Sequence, residues 1–311
     1  MDRIDAMRAF VLAVDAGGLA AAARRLGRSP TAVSRALSDL EEQVGTRLLR
    51  RTTRALHLTE AGERHLMACR RLLADYDEAF AQASGEHLAP RGVLTLTAPA
   101  VFGRRHVRPI LDDFLDAHSE VQGRLLLLDR MVHLVDEGMD VAIRIGRLPD
   151  SGLIARRVGE VRRVVCASPA LLERLPPIAT PDDLSGLPCI TFGQISEGQG
   201  WAFPTGRGRG PVEIRPRLAV TGAEAAIDSA IEGRGITCVL SYQVADAVKD
   251  GRLRLLLEDF EPPPMPVHVV HPEARLAAAK VRSFVDFAVP RLRARLGELA
   301  GNAGGGEESN L

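Results

Sequence analysis

The sequence predicts an α/β protein in three parts: a small helical head over residues 1–59, a long helix with a hinge over 60–90, and a two-lobed α/β body over 91–300. Three observations carry this. Apolar residues recur at helical spacing through the first 45 positions and are punctuated by glycines. From Leu66 to Ala83 they repeat at alternating intervals of three and four. Beyond Pro90, short apolar strands alternate with helical patterns, which is the signature of an α/β domain.

In the head, Ile4, Met7, Phe10, Val11 and Val14 predict a first helix with one buried stripe, capped by Asp2 and stopped at Gly17-Gly18. LAAAARRL is a second, short helix with Ala22, Ala23 and Leu26 facing inward, where the alanines let a neighbouring helix approach closely; Gly27 ends it. Ser29 caps a third helix with Pro30 at its first position, where a missing N–H costs nothing.

The third helix has two faces. Val33, Leu37, Leu40 and Val44 form an apolar stripe, and Thr31, Ser34, Arg35 and Ser38 form a polar face of short side chains and one arginine. Short hydroxyls allow close approach to base edges, and Arg35 can reach guanine or phosphate. After the Gly45 stop, Leu56 and Leu58 alternate with polar residues and predict a strand pair whose tip, Arg51-Thr52-Thr53-Arg54, places arginines where they can enter a minor groove or clamp phosphates. Between residues 24 and 54, eight arginines stand against three acids in a chain of zero net charge, the local basic patch that phosphate binding needs. A charge run alone would read as a solvated face. The capped, glycine-bounded helices and the basic hairpin make it a winged helix-turn-helix. Its candidate contacts to double-stranded DNA are Arg28, Ser29, Pro30, Thr31, Ser34, Arg35, Ser38, Arg51, Thr52, Thr53 and Arg54.

The stretch AAARRLGRSPTAVSRALSDLEEQVGTRLLRRTTRALHLTEAG resembles the DNA-binding domain of LysR-type transcription regulators in AAxxL, SxxAVSRxxxxLE, the Gly-x-x-Leu step, RTTR and LTEAG, and in the spacing between them. It departs at Gly18-Leu19-Ala20, where the family usually has a Ser-Phe-Thr-like run, so a hydroxyl at that helix start is absent. LTAPAVFGRRHVRPIL, LVDEGMDVAIRIGRLPDSGLIARRVGEVRRVVCASPALL and TPDDLSG are similar to the family's effector domains, so the resemblance covers about residues 1–295. It implies a homodimer, commonly a further tetramer that bends DNA, a small organic or aromatic acid as effector, and RNA polymerase as a partner if the protein activates.

The long helix opens at Thr59. Its seam of Leu66, Cys69, Leu73, Tyr76, Phe80 and Ala83 has the 3.5-residue period of a coiled coil and is the expected dimerisation contact. A helix packed on its own domain is the other reading of the same stripe.

In the body, VLTLT, GRLLLLD and MDVAIRIG read as buried strands, with helices at Arg104–Ala117 and MVHLVDEG between them, predicting a parallel sheet covered on both faces. Pro-rich stretches and RVGEVRRVVCASP mark crossings between lobe I (91–162 and 267–300) and lobe II (163–266), a layout that resembles periplasmic binding proteins; a closing helix from Leu276 precedes a disordered tail, 301–311. Ligands of open α/β sheets bind beyond the carboxyl ends of strands. That rule selects Thr97, Pro99, Ala100, Val101, Phe102, Arg144, Ile145 and Gly146 on one side of a cleft, and Phe192, Gly193, Thr221 and Gly222 on the other. Arg144 reads equally as a carboxylate ligand or as the partner of a structural acid, and Trp201 as a core residue or a lid.

Other function classes find little support. The chain has no GxSxG, HExxH or GxxxxGK[ST], its eight histidines show no ligand spacing, and Gly206-Arg207-Gly208-Arg209-Gly210 lacks the GxGxxG spacing of a dinucleotide loop. No enzyme activity, cofactor or metal is expected. The scattered Cys69, Cys166, Cys189 and Cys238 form no CxxC and read as reduced, mostly buried thiols. No apolar run nears the roughly 20 residues of a membrane helix, and MDRIDAM lacks the apolar stretch of a secretory leader. The expected location is the cytoplasm, which disfavours an exported solute-binding protein.

Overall fold

The computed structural model describes residues 2–51, 56–83, 89–148, 152–193, 201–203, 212–214, 216–273, 275 and 278–304. They fall in two compact units, Met1–Gly92 and Val93–Leu311. The first holds α1 (Arg3–Asp15), α2 (Leu19–Leu26), α3 (Pro30–Val44), the hairpin β1 (Leu49–Arg51) and β2 (Leu56–Leu58), and α4 (Glu60–Ala83). The Asp2 carboxylate accepts from the N–H of Arg3, and Ser29 Oγ accepts from the N–H of Ala32 at 3.2 Å. Gly27 and Gly45 end α2 and α3 with φ of 60° and 74°, a conformation that favours glycine. Gly18 caps α2 with no side-chain hydrogen bond, as the departure from the family pattern implies.

The core of this unit corrects the predicted stripes. On α1 the buried residues are Ala6, Ala9, Phe10 and Ala13, while Ile4, Met7, Val11 and Val14 are only half-buried. Three alanines let α2, α3 and α4 close on α1, so the bulky residues are left at the margins. On α3, Val33, Ala36, Leu37 and Leu40 are buried and Val44 is 40% exposed, because it stands on the last turn beyond the packed stripe.

The seam of α4 is divided. Leu66 and Cys69 join the core of the head and Leu73 is also buried, whereas Tyr76 and Phe80 are exposed with ring centroids 4.7 Å apart. The helix is anchored on α1 by ion pairs Arg70–Asp15 and Arg8–Asp77, and the Arg8 guanidinium lies 5.8 Å from the Tyr76 ring centroid. The first half of the predicted dimer seam is therefore an internal contact; the side chain of Ala83 lies outside the described residues.

The second unit has two sheets. In lobe I, β3 (Gly92–Ala98) leads into α5 (Ala100–Phe102), a π-helical turn (Gly103–Val107) and α6 (Arg108–Ala117), then β4 (Val121–Leu127), β5 (Val141–Ile145) and β6 (Leu153–Val161). Lobe II holds β7 (Arg163–Ala167), α7 (Pro169–Leu172), β8 (Cys189–Phe192), β9 (Pro216–Val220), α8 (Ala223–Ile231), β10 (Ile236–Leu240), α9 (Ser241–Lys249) and β11 (Arg254–Leu256). The chain returns to lobe I as β12 (Met265–Pro272) and closes on α10 (Ala279–Gly304). The helix α10 carries residues 301–304, the first part of the tail read as disordered.

Strand orders are β4-β3-β5-β12-β6 and β11-β7-β10-β8-β9. Both sheets are mixed rather than parallel. In lobe I, β3 runs parallel to β5 but the returning β12 is antiparallel to both β5 and β6; in lobe II, β7 is antiparallel to β10 and β11. The strand β4 is an edge with mostly exposed side chains, not a buried strand. The segment predicted as a helix, MVHLVDEG, forms turns held by Val132, Leu134 and Met139 against Ala142. The Arg130–Glu137 pair and the Glu137 bond to the His133 N–H close it as a loop.

Candidate functional site

On the head, α3 presents the predicted polar face. Arg28, Ser29, Pro30, Thr31, Arg35 and Ser38 are exposed and Ser34 is half-buried; the Ser38 hydroxyl donates to the Ser34 carbonyl at 3.1 Å. Thr52, Thr53 and Arg54 lie outside the described residues, as does the Arg51 side chain. One support of this face went unread in the sequence, and the Thr59 cap of α4 supplies a second. Glu41 Oε1 accepts from the N–H groups of Leu48 and Leu49 at 2.8 and 2.9 Å, tying the end of α3 to the start of β1. Thr59 Oγ1 donates to the Arg47 carbonyl and accepts from the Gly62 N–H at 2.9 Å, and a Cβ on Gly62 would stand 2.0 Å from the Leu48 carbonyl oxygen. The hairpin is thereby bolted between α3 and α4.

In lobe I, Thr97, Pro99, Arg144 and Ile145 line a cavity of about 170 Å³ together with Asp129 and Arg130. Val101 and Phe102 do not face it: they are 4% and 0% exposed in the lobe core, because the turn that follows Pro99 rotates both inward. Gly146 takes φ 113° at the end of β5, and Gly193 takes φ 111° at the end of β8. Phe192 packs on the cores of both lobes, while Thr221 is exposed beside the half-buried Gly222. The Ala100 N–H, at the helix start in that cleft segment, donates to Asp129 Oδ1 at 2.9 Å. Arg144 donates to the Val132 carbonyl and to the Met131 sulfur, and among the described residues it pairs with no acid. Trp201 is buried with Phe203 and Ile214 and exchanges backbone hydrogen bonds with Val212, so it is core.

The head matches a family described as bacterial regulatory helix-turn-helix protein, lysR family, over residues 4–63, and the body matches the LysR substrate binding domain over residues 87–293. This chain belongs to the LysR family of transcription regulators. A transcriptional repressor of Pseudomonas aeruginosa is 34% identical over 92% of this LysR-type chain and 91% of its own length. The structure of CrgA, a LysR-type regulator from Neisseria meningitidis, aligns with a TM-score of 0.59 at 28% identity over 94% of this chain and 99% of that one. The full-length virulence activator AphB from Vibrio cholerae gives 0.59 at 26% identity, over 93% and 99%.

The effector domain of this LysR-type regulator also carries contacts between its lobes that the sequence did not reveal. Arg104 pairs with Glu224, and Arg105 pairs with Asp246 at 3.2 Å. Between these pairs, His106 stacks with Phe102 and Tyr242, at centroid distances of 4.9 and 5.7 Å. Burial, with help from Arg295 and Arg105 and against Asp246, lowers the His106 pKa to about 4, and its Nε2 is buried without a hydrogen-bond partner. At the crossings, Arg162 Nη1 reaches both Glu261 carboxylate oxygens at 3.1 Å, and the Arg162 and Ser241 backbones are joined at 2.8 Å. Apart from Phe102 and His106, these partners lie between 79 and 141 positions apart in the chain, so only the fold brings them together. All four cysteines are buried and unpaired, and burial pushes their thiols up to about 11 or 12. Among the described residues no helix is long and apolar enough to cross a membrane.

Proposed function

We propose that residues 1–59 form the DNA-reading head, 60–90 the dimerisation helix and hinge, and 91–300 the effector domain. The observation that supports this most directly is the exposed polar face of α3, with Thr31, Arg35 and Ser38 open beside the hairpin. Two subunits set two such helices into successive major grooves, with half-sites about 34 Å apart or a multiple of that. Arg28, Ser29, Pro30, Thr31, Ser34, Arg35 and Ser38 meet bases and phosphates, and Arg51 to Arg54 at the hairpin tip clamp the backbone or a minor groove. The protein acts in the cytoplasm as a binding switch and performs no catalysis. An organic or aromatic acid enters between the lobes beside Thr97, Pro99 and Ile145, binds one quaternary state better than the other and so shifts the DNA-bound population. Where the outcome is activation, RNA polymerase is the further partner.

Fluorescence anisotropy on the full-length protein tests this reading, with the DNA upstream of its own gene and a scrambled control at several salt concentrations. Preferential binding that weakens with salt and falls by about 1–3 kcal/mol in Arg35→Ala is the expected result. Equal binding to both DNAs, followed by a genome-wide binding selection that recovers no site, would overturn it.

A further inference from the structure

One face of the lobe I sheet is fully packed and the other is not. Val141, Ile143, Val267 and Val269 point into the core with α6 and α10. The alternate residues of the same strands, Ala142, Arg144, His268 and Val270, point to the opposite face, where β5 and β12 pair in register as Arg144↔His268 and Ala142↔Val270. The turns over residues 130–138 pack on that face through Val132 and Leu134. Between the turns and the sheet lies a cavity of about 510 Å³ lined by Leu134, Leu148, Leu153, Ala155 and Val270, and by Arg144. Met131 and Val135 border it at 65% and 63% exposure.

The geometry points to a binding site here for a monocarboxylate with an apolar body, adjoining the smaller cavity at the strand ends and sharing Arg144 with it. The volume lies within the 300–1,000 Å³ of small-molecule pockets, and the lining has their usual character of apolar walls with few polar groups. The guanidinium of Arg144 has five N–H donors. Its partners among the described residues are one carbonyl and one thioether, the latter a weak acceptor. Burial lowers its pKa, the mark of a cation short of solvent. A carboxylate would supply the bidentate partner that guanidinium favours. Asp136 on the same wall disfavours a second negative charge, and Glu137 is already held by Arg130, so one carboxylate and an uncharged tail is the chemistry that fits.

Arg144, Met131, Val132 and Leu148 border both cavities, whereas Ala155 and Val270 line only the larger and Thr97 only the smaller. That difference makes the site testable, without DNA and independently of the regulator reading. Titration calorimetry of the full-length protein with octanoate should show saturable binding. The affinity should fall at least tenfold in Ala155→Phe, which fills the cavity from an exposed strand position, and in Arg144→Met, but not in Thr97→Val. Octylammonium should not bind. A second measurement avoids refilling the core. Since the native thiols are buried, Val135→Cys offers one accessible thiol, and octanoate should slow its labelling by iodoacetamide at least threefold. Absence of saturable binding and of protection would overturn the proposal. So would binding that Thr97→Val abolishes and Ala155→Phe leaves intact, or equal binding of octylammonium.

Discussion

Asp129 caps the N–H of Ala100, at 2.9 Å. At the end of β3 lobe I thus satisfies the helix-start donor from within, with a carboxylate of its own. Asp129→Ala should cost about 1 kcal/mol, as the loss of a helix cap does, and Asp129→Asn less. Urea unfolding of the full-length protein reads this directly, and an Asp129→Ala protein as stable as the parent would show the hydrogen bond to be replaced by water at no loss.

The hairpin of the head depends on Gly62 and Glu41. With a Cβ only 2.0 Å from the Leu48 carbonyl oxygen, Gly62→Ala must move α4 or β1, and an overpacking cost of about 1–3 kcal/mol is expected. Glu41→Ala leaves the N–H groups of Leu48 and Leu49 without their acceptor, also worth about 1–3 kcal/mol, while Glu41→Gln keeps an oxygen there and should lose less. Thermal unfolding of each variant gives the ranking; a Gly62→Ala protein with an unchanged midpoint would contradict the packing.

Along α4 the consequences of substitution should change sharply with position. Leu66 and Cys69 sit in the head's own core, so polar residues there should unfold the head. Tyr76 and Phe80 are open, so Tyr76→Glu with Phe80→Glu should leave the head's helical circular dichroism intact and shift the protein toward monomer in analytical ultracentrifugation. A double variant that still sediments as the parent would remove these two rings from the dimer contact.

His106 should make the effector domain acid-sensitive. Its neutral imidazole lies against Phe102 and Tyr242, with Arg105, Arg295 and Asp246 as the charged groups acting on it. The folded pKa is about 4 against an ordinary 6.5, so the unfolded chain binds the proton more readily. Its contribution to stability is complete above pH 6.5 and is lost progressively as pH falls toward about 4. His106→Gln should therefore lose less stability between pH 7 and pH 5 than the parent in parallel urea titrations. Identical losses would assign the acid sensitivity to other groups.

How much was legible depended on how local the signal was. Ser29, Gly27 and Gly45 mark helix ends through contacts within four residues, and they are where the sequence places them. The α1 stripe was misread because hydrophobicity ranks Met7 and Val11 above Ala6 and Ala9, while close helix packing selects the smaller side chains. The α4 seam was half misread because periodicity shows that a stripe is buried but not against what. Val101 and Phe102 follow a strand end as a cleft residue would, yet the turn direction sends them to the core.

The sequence by itself determined the helix-turn-helix, the exposed polar face of its third helix, the two lobes and their crossings. These follow from caps, glycines and apolar periods acting over a few residues, where backbone sterics and local hydrogen bonds dominate. Only the tertiary structure decided that α4 docks on α1, that Arg104 and Arg105 meet Glu224 and Asp246, that Asp129 fills the helix start, and that one sheet face is left open above Arg144. Each joins groups distant in the chain, whose encounter depends on how strands are ordered and which way they run. That order is set by the packing of the whole domain, and no local pattern encodes it.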